Sequence, residues 1–165
     1  MSNTFHKDFQ RGLAVEKKAL QMINKKYPQA YMAEALKEYD IFIPEKNYSV
    51  EVKYDPMSNI TGNFVVEIEF NGKPSALMTS TATYWLFYDD EEWFWIKPME
   101  IISCIFLNNL RWVEFIGDGD TKSKKAFLIR KEILKNFPKK IENVALRQSE
   151  KINDAVQHEK HWLDD

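Results

Sequence analysis

The sequence predicts an α+β domain: a helix, a three-stranded antiparallel meander, a second helix, a further strand and then C-terminal additions. Three observations lead there. Residues 5–26 place apolar side chains at helical spacing. Three short runs, 39–44, 48–54 and 63–70, are rich in β-branched and aromatic residues and separated by turn formers. Beyond residue 70, further strand-like and helix-like stretches alternate, as in a layered α+β chain.

In the first helix, Phe9, Leu13, Glu16, Leu20 and Ile23 recur at steps of three and four, which puts them on one stripe. Four are apolar, and the fifth, Glu16, is a carboxylate within the face expected to be buried. Pro28 ends the helix. Residues 31–37 give a mixed signal. Strands are expected at 39–44 and 48–54 around the turn Glu45-Lys46-Asn47. With Pro44 opposite Ser49, Phe42 opposes Glu51 and Asp40 opposes Lys53, and all share one sheet face. Ile41, Ile43, Val50 and Val52 form the other, apolar face.

A polar loop at 55–62 precedes the strand at 63–70, and Asn71-Gly72-Lys73-Pro74 is a turn. Ser75 is the expected N-cap of a helix reaching Ala82. Strands at 85–88 and 93–96 flank the acidic turn 89–92. Pro98 opens a helix to about Asn109, and strands follow at 111–116 and 125–130. A helix at 131–136 is expected to stop at Pro138. The first 140 residues read as one domain, and 141–165 as a polar, helical tail with a weak apolar stripe.

The 165 residues, 44% apolar and 14% aromatic, suffice for a packed core. No apolar run is long enough to span a membrane. The start lacks the apolar stretch of a secretory signal, and the single cysteine, Cys104, fits a reducing compartment. A cytoplasmic location and no membrane partner are therefore expected. Cys104 stands among Ile101, Ile102, Ile105 and Phe106, which suggests an inert core thiol. The net charge of -2 hides an asymmetry: residues 85–120 hold eight acids and two bases, whereas 121–147 hold nine bases and two acids. Lys122, Lys124, Lys125, Arg130 and Lys131 form a candidate track for a DNA backbone, and equally a solvated charge run.

Two Glu-x-Lys pairs occur, Glu16-x-Lys18 and Glu51-x-Lys53. Residues two apart diverge on a helix but share a face on a strand, so only the second pair can build a site. Asp40 joins it from the neighbouring strand. Asp40, Glu51 and the Val52 carbonyl are hard oxygen donors suited to Mg²⁺ or Mn²⁺. Lys53 can orient a water or hold charge on a phosphate. Glu67, near the middle of the strand at 63–70, is a further candidate metal ligand. The same charges also fit a salt-bridge cluster on a wet hairpin face, which would contribute little. Glu16, a carboxylate on an apolar stripe, favours the site, since a buried acid needs a partner.

Asp40 followed after ten residues by Glu51-Val52-Lys53, behind a helix bearing Glu16, resembles the PD-(D/E)xK nuclease superfamily, with Tyr39 where the motif has proline. The resemblance covers roughly Phe9 to Tyr88 and is nearest to small Holliday-junction-resolvase-like and phage-type nucleases. It implies a restriction-endonuclease-like core, catalytic roles for Glu16, Asp40, Glu51 and Lys53, a Mg²⁺ or Mn²⁺ cofactor, and DNA as substrate. Resolution of a junction would further imply a homodimer. The alternative is a non-catalytic nucleic-acid-binding or assembly protein on the same fold. His158-x-x-His161 reads as solvated side chains in the tail.

Overall fold

The computed structural model describes the backbone of residues 3–34, 38–117 and 120–163, and the side chains of 7, 10–34, 38–117 and 120–154. Helix α1 (Asn3–Asn24) is followed by strands β1 (Tyr31–Met32), β2 (Ile41–Ile43) and β3 (Tyr48–Tyr54). One turn of helix, α2 (Ser58–Thr61), leads to β4 (Asn63–Phe70) and β5 (Lys73–Pro74). A 3₁₀ turn (Ala76–Met78) precedes β6 (Tyr84–Tyr88) and β7 (Trp93–Ile96). Helix α3 (Pro98–Leu107), β8 (Trp112–Ile116), β9 (Ser123–Arg130) and α4 (Lys131–Leu163) complete the chain. The class is mixed α+β, as the sequence predicts.

Two sheets form, one in the order β1-β2-β3-β6-β7 and one in the order β5-β4-β9-β8. In the first, β1, β2 and β3 are antiparallel neighbours, β6 runs parallel to β3, and β7 returns antiparallel to β6. Side-chain alternation gives this sheet two buried faces. Ile41, Ile43, Val50 and Leu86 meet Ala19 and Ile23 of α1 on one face. Trp85, Phe87 and Ile96 meet Phe64, Val66 and Ile129 of the second sheet on the other, together with Ile101, Cys104, Leu134 and Phe137 from α3 and α4. The α1 face of β2 and β3 is therefore covered where Ile41, Ile43 and Val50 lie, and these three are almost wholly buried.

Several expectations need correcting. The strand at 63–70 forms but does not join the meander: β4 pairs with β9, from Asn63 opposite Arg130 to Phe70 opposite Lys124. Its Phe64 and Val66 need an apolar layer across from Trp85 and Phe87, and the second sheet provides it. The short segment β1, left undecided by the sequence, supplies the third antiparallel strand instead. The hairpin register is displaced by two residues, with Phe42 opposite Ser49 and Ile41 opposite Val50. A shift of two preserves the face of every side chain, so the predicted partition into apolar and polar faces survives.

The helix expected from Ser75 to Ala82 is only the 3₁₀ turn. Ser75 donates to Glu67 instead of capping, and Ser80 turns its hydroxyl to Glu51; such side-chain bonds compete with helix formation. Pro138 does not stop α4, because Leu134 and Phe137 before it and Ile141 after it pack on one core. The buried stripe of α1 is Val15, Ala19 and Ile23, with Leu13 exposed. The small Ala19 lets the helix lie close on the sheet, and that rotates Glu16 to the margin of the buried face. The Phe9 side chain and the His158–His161 pair lie outside the described side chains. Among the described residues no helix is long and apolar enough to cross a membrane.

Candidate active site

Strand β3 has seven residues and its neighbour β2 only three. The C-terminal half of β3 therefore has an uncovered edge on the β2 side. Asp40, just before β2, fills the first position of that gap. Its backbone N–H donates to the Val50 carbonyl at 2.9 Å, and its Oδ2 accepts the Val52 N–H at 2.7 Å. A strand residue turns its N–H and C=O to the same side. The Val52 carbonyl thus lies on this same open edge. Burial raises the Asp40 pKa; the Val52 N–H opposes that rise, Glu51 adds to it, and Lys53 again opposes it.

Glu51 and Lys53 project from β3 to the side of Trp85 and form an ion pair. Their side chains are only 17% and 28% exposed respectively. Ser80 donates to the second oxygen of Glu51 at 2.9 Å and accepts the Trp85 indole N–H at 2.9 Å. Lys53 Nζ lies 4.5 Å from the centroid of the Trp85 ring, a cation–π distance. The loop before β6 and the indole on β6 thereby fix the rotamers of both charged groups.

Glu16 approaches the same edge from the α1 side. It lines a cavity of about 390 Å³ with Arg11, Gly12, Val52, Tyr54 and Pro56. Its pKa is raised from 4.5 to about 7, first by burial and then by the Asp40 charge. Glu16 and Glu51 lie on opposite sides of the sheet, and Asp40 at the open edge interacts with both. The four predicted catalytic residues thus form one electrostatically connected row around the end of a strand ladder.

Asp40, Glu51 and the Val52 carbonyl have the donor chemistry for a hard divalent cation. The carboxylates do not converge on one point, however. Among the described residues no three His, Cys, Asp or Glu side chains come together closely enough to hold a metal ion. Asp40 is engaged by a backbone N–H, and Glu51 by Lys53 and Ser80. Glu67 stands apart, on the second sheet. It accepts from Ser75 at 2.6 Å and lies 3.7 Å from Lys124. Its cavity, about 300 Å³, is shared with Lys53, Val65, Trp85 and Lys124. Glu67 therefore borders the Lys53 end of the site and not the Asp40 end.

The basic stretch is divided by its own partners. Lys124 pairs with Asp120 at 2.8 Å, and Lys125 with Glu69 at 2.9 Å. These two lysines are adjacent on β9 and point to opposite faces. Lys131 reaches the buried Asp89 and Asn59. Lys122 and Arg130 are exposed. Cys104 is fully buried, and burial raises its thiol pKa, as suits an inert core residue.

Sequence reasoning missed Ser80 and Trp85 as supports of Glu51 and Lys53. Their signal was indirect: Ser80 belongs to a run of hydroxyl residues at 79–81, and only the parallel pairing of β3 with β6 brings it to Glu51. Comparison with protein-family models, with curated proteins and with solved structures finds no match.

Proposed function

We propose that the chain is a metal-dependent nuclease that hydrolyses DNA phosphodiester bonds at the open edge of β3. The observation that carries this reading is the electrostatic linkage of Glu16, Asp40, Glu51 and Lys53 along the open edge of β3, with Asp40 interacting with the other three. A purely structural hairpin cluster has no need of a helix-borne carboxylate. Element order agrees with a restriction-endonuclease-like core: α1, an antiparallel β1-β2-β3 meander, then β6 parallel to β3. The crossover to β6 carries the strand β4 in place of a regular helix.

In this reading Asp40, Glu51 and the Val52 carbonyl would hold Mg²⁺ or Mn²⁺. Such a cation supplies Lewis acidity and a more acidic water. Lys53, paired with Glu51 in this structure, would donate to a phosphate oxygen and stabilise the charge that builds there. Glu16 ionises near neutral pH and is suited to accept a proton from the attacking water. Ser80 and Trp85 hold Glu51 and Lys53 in position.

The test is a cleavage panel of branched, nicked, single-stranded and duplex DNA with Mg²⁺ and with Mn²⁺. Wild type should cut at least one substrate, and Glu51→Ala or Lys53→Ala should lower the rate about 100-fold or more. Undiminished cleavage by either variant sinks the assignment.

A second reading follows from the occupied state of the carboxylates. If Glu51–Lys53 and Asp40–Val52 are permanent structural contacts, the chain binds nucleic acid without cutting it. Mn²⁺ titration separates the two: a nuclease site binds the ion and loses it in Glu51→Ala.

A further inference from the structure

Beside the C-terminal end of α1, between it and the sheet, lies a groove of about 390 Å³. Tyr48, Tyr84 and Trp95 lie side by side on β3, β6 and β7, on the α1 face. The Tyr84 ring stands edge-on to Tyr48, with centroids 5.3 Å apart, and edge-on to Trp95 at 5.8 Å. Met22, Lys26 and Tyr27 close the helix side. Lys26 Nζ lies 5.4 Å from the centroid of the Tyr27 ring, and Lys97 Nζ lies 5.7 Å from that of Tyr84. The ion pairs among the described residues leave Lys26 and Lys97 out. Trp95 remains 37% exposed.

This combination selects a flat ring that carries an anion. An apolar ligand would have no use for the lysines, and an acidic peptide would have none for a row of rings. We propose that the groove binds one unstacked nucleotide of a DNA strand, its base against Trp95 and Tyr84 and its phosphate between Lys26 and Lys97. Sequence-tolerant binding of single strands uses such rings beside such charges. The groove shares the α1 face with Glu16. Seven residues separate Glu16 from Ile23, or roughly 10 Å along the helix. Measured along the helix axis, that span corresponds to about three steps of 3.4 Å along a stacked strand. The proposal rests on DNA being the substrate, but not on the cleavage chemistry.

Fluorescence anisotropy in EDTA tests it without cleavage. The probes are a labelled oligothymidylate and a blunt duplex of equal length. Wild type should bind the single strand more tightly than the duplex. Trp95→Ala and Lys26→Glu should each weaken that binding about 10-fold, and Trp95→Phe should recover most of the loss. A strand of abasic sites should bind wild type no better than it binds Trp95→Ala. Thermal melting confirms that each variant is folded. Equal affinity of folded Trp95→Ala and wild type for the strand overturns the proposal. So does a duplex bound as tightly as the strand, or thymidine monophosphate bound as tightly as the oligonucleotide, which would make the groove a free-nucleotide site. Strand binding that depends on Trp95 without any metal-dependent cleavage would sink the nuclease reading alone.

Discussion

Glu16 holds its proton into the neutral range because burial and the neighbouring Asp40 both disfavour its charge. Between 4.5 and about 7 the folded chain therefore binds more protons at this site than the unfolded chain does. Stability conferred by the residue falls as pH rises through that window. The effect is on the order of 1 kcal/mol, since solvent screens a carboxylate that is only half buried. Urea unfolding at pH 5 and pH 8 in EDTA should show the decline in wild type and a flatter profile in Glu16→Gln. An unchanged profile in the variant would move the titration to another group. If Asp40 and Glu51 hold Mn²⁺, its affinity should rise across the same window, because Glu16 on ionising adds a negative charge beside Asp40.

At the residue scale the sequence is legible where strand or helix periodicity decides. Glu51 and Lys53 share a face of β3 as their spacing requires, whatever the register, since faces alternate with period two; Asp40, expected on that face, lies instead at the open edge with its carboxylate on the Val52 N–H. Glu16 stands out in the sequence as an acid among apolar helical positions, although the stripe that α1 buries is Val15, Ala19 and Ile23. Ser80 does not stand out, because its role depends on a parallel contact between β3 and β6 that no local pattern encodes.

Among the elements, α4 is fastened to the five-stranded sheet by one ionic knot. Asp89, at the end of β6, is 1% exposed. Burial works against its ionisation, but hydrogen bonds from Lys131 and from the Glu91 and Glu92 N–H groups prevail, and its pKa is lowered. Its contribution is therefore present above its unfolded pKa and lost as pH falls through the lower folded value. Lys135 joins the knot through Asp89 and Glu92. Asp89→Ala leaves the Lys131 ammonium without its buried carboxylate, with only Asn59 and the Phe64 ring beside it. The cost should be about 3–5 kcal/mol in urea unfolding, and a loss below 1 kcal/mol would show that solvent reaches the pair. The knot ties one member of the basic run at 121–147, Lys131, to an acid across the fold: composition shows charge, but not which acid claims it. Element existence was legible along most of the chain, whereas the allegiance of β4 was not. An alternating strand announces its two faces and leaves its neighbours unspecified.

Across the whole molecule, the two sheets meet through aromatic rings. Phe64 of β4 lies 4.6 Å from Phe87 of β6, centroid to centroid, and 6.3 Å from Phe94 of β7. It is 1% exposed. With one core continuous through both sheets, α3 and α4, the chain should unfold in a single transition. Phe64→Ala should cost about 3–5 kcal/mol and move the transition equally whether followed by tryptophan fluorescence or by far-ultraviolet circular dichroism. Separate midpoints would mean that the sheets unfold independently.

The pairing of β4 with β9 also has a cost during synthesis. Asn63 finds its partner at Arg130, 67 residues later, with β6, β7, α3 and β8 made in between. At roughly 5–20 residues per second, a growing chain shows Phe64 and Val66 to the cytosol of whatever cell makes it for about 3–13 s before their strand can be covered. A ribosome stalled anywhere between those two strands holds out an adhesive ribbon, and chaperone capture of such stalled chains should centre on residues 63–70.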